Sequence, residues 1–83
     1  MTGTIEVHLF AAARAAAGCS EWATEPGTLG EVLERMVAEF PTLGEVLPRC
    51  SYLVDEVSVK SGDLKAPLVA GSRLDVLPPF AGG

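Results

Sequence analysis

One segment of this chain is both long enough and suitably patterned to form an amphipathic helix, and it limits what the rest can build. Leu29, Val32, Leu33, Met36, Val37 and Phe40 stand at offsets 0, 3, 4, 7, 8 and 11 and share a face, while Glu31, Glu34, Arg35 and Glu39 take the other. Thr28 and Glu31 have the Thr-x-x-Glu spacing in which hydroxyl and carboxylate cap each other's backbone amides, which fixes the start. Pro41 pushes the residue before it out of helical geometry and marks the end. A helix with one apolar face needs one apolar surface to cover, and the flanking sequence supplies strands for it.

Ile5, Val7 and Leu9 alternate with Glu6, His8 and Phe10, the pattern of a first strand. Ala11 to Ala17 has high helix propensity but is short, so about one helical turn is expected inside a connection, closed by Gly18. Ser20 to Thr24, with Trp22 at its centre, predicts a second strand ending in a Pro26-Gly27 turn. Thr42 to Leu47 echoes Thr28 to Leu33, but two copies make no solenoid; the echo predicts a capped helical turn cut off at Pro48. Tyr52-Leu53-Val54 and Val57-Ser58-Val59 flank Asp55-Glu56 as a hairpin or bulged pair. Ser61-Gly62-Asp63 reads as a turn, Lys65 to Leu68 as irregular, and Arg73 to Leu77 as a last alternating strand. The order ββαβ(β)β predicts a two-layer α+β domain, one main helix packed on one face of a small mixed sheet, with both terminal strands central.

Eighty-three residues make one domain over 1–83, with a core too small to spare a deep catalytic pocket. Six basic against 11 acidic side chains give a net charge of −5, which repels phosphate backbones and excludes nucleic acid as a partner. No apolar run approaches the roughly 18 residues of a membrane span, and the first residues lack the pattern of a signal peptide, so no membrane contact and a cytoplasmic location are expected. Cys19 and Cys50 form no Cys-x-x-Cys pair and His8 is the sole histidine, so no metal site is expected from this chain alone. His8 has no paired nucleophile and receives no role; the two thiols read as incidental or buried. The acidic helix face of Glu31, Glu34 and Glu39 reads as solvated.

The chemistry concentrates after the last strand. Pro78 and Pro79 lack amide donors and end sheet pairing, which sends residues 78–83 out as an extended, flexible tail. Six extended residues reach about 20 Å, stiffened at the base by the prolines. From Val76 to Gly83 no side chain is charged, so the α-carboxylate of Gly83 is the one ionised group on the arm. Gly82 and Gly83 lack Cβ atoms and suit a narrow channel. Phe80 reads as an anchor for a partner's apolar groove.

These features resemble the ubiquitin-like sulfur carriers of the MoaD/ThiS family, nearest the molybdopterin synthase branch. The resemblance rests on the first strand leading to Phe10-Ala11, with Arg14 and Gly18 after it, on the capped Thr28 helix, on Gly71 ahead of the last strand, and above all on Leu77-Pro78-Pro79-Phe80-Ala81-Gly82-Gly83. Where relatives usually carry Val-Asn-Gly and Gly-Asp, this chain has Val54-Asp55-Glu56 and Gly71-Ser72. The resemblance implies a β-grasp fold and a carrier that binds no cofactor itself. A ubiquitin-activating-like adenylyltransferase would use ATP and Mg to adenylate Gly83, and a sulfur donor protein would convert it to a thiocarboxylate. As small subunit of molybdopterin synthase, in a heterotetramer with the large subunit, the carrier would insert Pro78, Pro79, Phe80, Ala81 and Gly82 into its partner's tunnel and donate sulfur to precursor Z for the molybdenum cofactor. Catalytic residues would lie on the partners. Carriers for thiamin thiazole or cysteine biosynthesis share the ending, as do ubiquitin-like modifiers that form isopeptides through the last glycine; a non-covalent β-grasp interaction module is the remaining reading.

Overall fold

A computed structural model of the chain describes residues 3–59 and 63–79. Along the chain stand β1 (Ile5–Leu9), α1 (Ala11–Ala17), β2 (Glu21–Thr24), β3 (Gly27–Thr28), α2 (Leu29–Glu39) and α3 (Leu43–Val46). A 3-10 turn (Leu47–Arg49), β4 (Ser51–Val54), β5 (Val57–Val59), β6 (Pro67–Leu68) and β7 (Arg73–Leu77) follow. Five strands form one sheet in the order β2-β1-β7-β4-β5, and β3 pairs with β6 in a second sheet of two. Within the larger sheet β1 and β7 run parallel, from Glu6↔Arg73 to Leu9↔Val76, and the other neighbours are antiparallel. The terminal strands are therefore interior, as expected, and the domain is a ubiquitin-like α+β β-grasp.

The strand period sorts the two faces. Ile5, Val7, Leu9, Leu74, Val76 and Tyr52 are buried on the inner side, and Glu6 between two of them is exposed. Against that side α2 buries Leu29, Val32 and Met36, with Leu33, Val37 and Phe40 half-buried at its margin. Phe40 meets Trp22 of β2 edge-to-face, ring centroids 5.7 Å apart, which ties the helix end to the sheet edge. Each fully buried side chain of this size contributes about 1.5–3 kcal/mol, so the helix is held by its apolar face rather than by propensity.

At its start the expected capping box is present: Glu31 N donates to Thr28 Oγ1 at 3.2 Å and Thr28 N to Glu31 Oε1 at 2.8 Å. Leu29 N and Gly30 N donate outward, to Ala66 O and Leu64 O, both at 2.9 Å. A Cβ on Gly30 would stand 3.2 Å from both Leu64 Cβ and Leu64 O, so the glycine permits this approach. These bonds overturn the expectation that Lys65 to Leu68 is irregular. The helix start docks that segment, Leu68 is buried, and Pro67–Leu68 pairs with Gly27–Thr28, part of which read as a turn.

Two further expectations change. Ala11 to Ala17 makes a seven-residue helix, longer than one turn, because it packs on the core through buried Ala13 and ends as foreseen on left-handed Gly18 (φ 80°), whose N–H donates to Arg14 O. Thr42 does not cap α3 with its side chain. The amides it would serve already donate elsewhere, Gly44 N to Pro41 O and Glu45 N to Thr42 O. Nor does Pro48 end the helical run; it sits in the 3-10 turn near its start, where a missing N–H costs nothing.

The Glu31 carboxyl is held below its usual range by the Thr28 backbone amide first and the Thr28 hydroxyl second. A lowered folded value means the bond's contribution is complete above the unfolded carboxyl value of about 4.3 and is lost as pH falls through the lower folded value. Thr28→Ala should cost about 1 kcal/mol, lowering the thermal midpoint by roughly 4–8 °C. Glu31→Gln should flatten the acid limb of stability against pH. Calorimetry between neutral and acid pH reads both.

Candidate functional site

The arm that the sequence singles out leaves from β7, the middle strand of the five. Its last pairings are Leu9↔Val76 and Ser51↔Leu77, with Phe10 N donating to Val76 O at 3.3 Å. Pro78 and Pro79 lie beyond the strand; the first is half-buried and the second exposed. With partners on both sides up to Leu77, the direction in which the chain leaves is set by the sheet and not by the tail. Phe80, Ala81, Gly82 and Gly83 lie outside the described residues. Beside the exit stands Phe10, a large apolar side chain 39% exposed.

Toward the other end of β7 the outer face of the sheet is charged. Arg73 Nε donates to Asp75 Oδ1 at 2.7 Å, and Asp75 is buried beneath that contact. The Asp75 hydrogen bond, with the charges of Asp75, Glu56 and Glu6 around it, makes Arg73 a still stronger base. The backbone at Arg73 is doubly tied to the β4–β5 turn, since Arg73 N donates to Asp55 Oδ1 and Asp55 N to Arg73 O, both at 2.9 Å. Next to this pair, one ligand atom each from Glu6, His8 and Glu21 lies within 4.8 Å of the others. His8 received no role from the sequence; strand register, which brings Glu21 opposite it, is what the sequence pattern did not show.

The sequence pattern of the ThiS family matches residues 7–83. The molybdopterin synthase sulfur carrier subunit of Chlamydomonas reinhardtii is 30% identical over 82 residues, 95% of this chain and 98% of that protein. The chain belongs to the ThiS family. It is a sulfur carrier of the MoaD/ThiS type, and its fold agrees. The crystal structure of SAMP1 from Haloferax volcanii superposes with a TM-score of 0.83 at 25% identity, covering 98% of this chain and all of that one. A chain of the complex of subunits 1 and 2 of molybdopterin-converting factor from Helicobacter pylori matches in fold, with a TM-score of 0.70 at 24% identity over 96% of this chain and 99% of that one.

In this ThiS-family chain the two thiols differ in access. Cys50 is buried and donates its S–H to Val46 O at 3.3 Å, and burial pushes its pKa up to about 11. Tyr52, whose hydroxyl donates to Leu47 O at 2.7 Å, is pushed up to about 12 by burial first and Cys50 second. Cys50 therefore stays a protonated, screened thiol near neutral pH and makes no nucleophile. Cys19 is half-buried. An open apolar groove of about 590 Å³, lined by Leu33, Val37, Leu47, Pro48 and Leu64, separates α2 from the 3-10 turn and carries no paired acid and base. Among the described residues no helix is long and apolar enough to cross a membrane. In the folded protein a small aromatic disulfide should titrate Cys19 alone at mildly alkaline pH, with Cys50 reacting only on denaturation. Two equally fast thiols would contradict the burial.

Proposed function

We propose that this protein carries sulfur on Gly83 for molybdopterin formation, as the small subunit of molybdopterin synthase. The observation that carries the reading is the likeness to the Chlamydomonas carrier subunit, which spans 98% of that protein, together with a family match that runs to Gly83. The geometry supports it: the exit from β7 is anchored on both sides, and two prolines follow it.

A free carboxylate is a poor acyl donor because its leaving group would be oxide. Attack of the Gly83 carboxylate oxygen on the α-phosphate of ATP·Mg, with release of pyrophosphate, replaces that leaving group by AMP. The terminal sulfur of a donor persulfide then displaces AMP to form an acyl disulfide. A thiol of the donor or of the activating enzyme attacks the donor's own sulfur, forms a disulfide with it and releases the Gly83 thiocarboxylate. The thiocarboxylate gives its sulfur to precursor Z inside the large subunit while water regenerates the carboxylate. An adenylyltransferase of the ubiquitin-activating type, a sulfur donor protein and the large synthase subunit are the partners this reading implies, and it places the catalytic groups on them. This chain supplies the folded body and an end whose side chains are small and uncharged around the Gly83 carboxylate, which a narrow active site can admit. ATP and Mg serve the activating partner; the carrier keeps no cofactor.

A second reading is favoured by the likeness to SAMP1, a small archaeal modifier protein: activation by the same route, followed by an isopeptide bond from Gly83 to a lysine. Incubating the chain with an activating enzyme and labelled ATP should yield a C-terminal acyl-adenylate. Intact mass of the protein from cells then divides the readings, since exchange of one oxygen for sulfur marks the carrier and lysine-linked adducts mark the modifier. Deleting Gly83 should abolish sulfur transfer and leave the thermal transition nearly unmoved, because the core of the described residues reaches only to Val76. Activity that survives the deletion would refute both readings.

A further inference from the structure

We propose that Glu6, His8 and Glu21 form a binding site for one divalent transition-metal ion of the zinc class on the outer face of the sheet. The site stands apart from the tail and goes beyond the carrier reading.

The backbone brings these three together. In β1, Glu6 and His8 alternate with the buried Ile5, Val7 and Leu9, so both face outward. Leu9 N donates to Ser20 O at 2.8 Å, which makes Leu9 and Ser20 a hydrogen-bonded pair of the antiparallel β1–β2 ladder. Pairs alternate along such a ladder, so His8↔Glu21 is a non-hydrogen-bonded pair, the kind whose side chains stand closest. Glu6 lies one side-chain repeat further along the same face. The result is a spacing of 4.8 Å or less among one imidazole nitrogen and two carboxylate oxygens. In a tetrahedral zinc site, with bonds of about 2.0–2.2 Å, donors stand about 3.3–3.6 Å apart. Glu6 and Glu21 are exposed and His8 is half-buried, so rotation of the two carboxylates toward the imidazole closes that gap.

Electrostatics points to a cation there. Two carboxylates converge on one face of a chain whose net charge is −5. Arg73, opposite Glu6 in the register, feels the Glu6 charge but is hydrogen-bonded to Asp75 in the one ion pair among the described residues, so neither Glu6 nor Glu21 is itself in an ion pair. Like charges on neighbouring sheet positions are destabilising, and a divalent ion between them reverses the sign of that interaction. Glu6 and Glu21, with Trp22 and Ala23, also line a shallow depression of about 240 Å³, room for an ion with its remaining water. The donor set selects the class: imidazole with two carboxylates suits zinc and its first-row neighbours, whereas calcium and magnesium favour oxygen shells and copper(I) favours thiolates. Three protein ligands leave a fourth position for water.

Isothermal titration of the untagged full chain with zinc chloride should show saturable one-to-one binding. His8→Ala and Glu21→Gln, each checked for an unchanged thermal transition, should weaken it by more than the roughly 10–100-fold that loss of an outer-shell partner costs. Cys19→Ser should bind as the parent does, and calcium at equal concentration should not displace zinc. Absence of one-to-one binding, parent-like affinity in both ligand variants, loss of binding in Cys19→Ser, or equal competition by calcium would each overturn the site. None of these readouts depends on sulfur transfer, so the site and the carrier reading stand or fall separately.

Discussion

The parallel pairing of β1 with β7 is the constraint on which the rest of the structure depends. It joins the beginning of the chain to its end, so everything from Phe10 to Ser72 must leave one edge of the pair and return to the other. Closing a loop of that length costs entropy that no local contact repays. Repayment comes from the shared inner face, where Val7 and Leu9 on one strand and Leu74 and Val76 on the other are covered by Leu29, Val32 and Met36 of α2. An eleven-residue helix is marginal in water, and so is an isolated hairpin such as β4–β5. Each element is stable here because β1 and β7 are paired, and they pair because the helix covers them.

That arrangement also decides what the tail inherits. An arm leaving an edge strand could peel its own strand away; one leaving β7 cannot do so without breaking ladders to both β1 and β4. The paired body ends at Leu77, and the two prolines follow it.

How much of this was legible in the residues differs by element, for physical reasons. The start of α2 was plain, because a capping box is a local pattern and local geometry satisfies it. The strands β3 and β6 were not, because two residues carry no period; they exist since the first amides of α2 take carbonyls from Leu64 and Ala66. The β4–β5 hairpin was expected on strand composition, but its turn places Asp55 and Glu56 at φ 49° and 69° without a glycine or asparagine, a conformation held by the bonds between Asp55 and Arg73. The expectation for the tail rests on charge and Cβ content, which need no fold, and its last four residues lie outside those described. The grouping of Glu6 and His8 with Glu21 was not, because a register is a property of two strands and no single segment states it.

The two faces of the sheet divide the ionisable groups. On the inner side, the thiol of Cys50 donates to the last carbonyl of α3 and the phenol of Tyr52 to the first carbonyl of the 3-10 turn, and burial keeps both protonated well above neutral pH. They are spent on packing. On the outer side, Arg73 is committed to Asp75, and the remaining groups around β1 and β2 are carboxylates and one imidazole. The outer face of the sheet therefore presents charge and donor atoms, and the inner face presents packing.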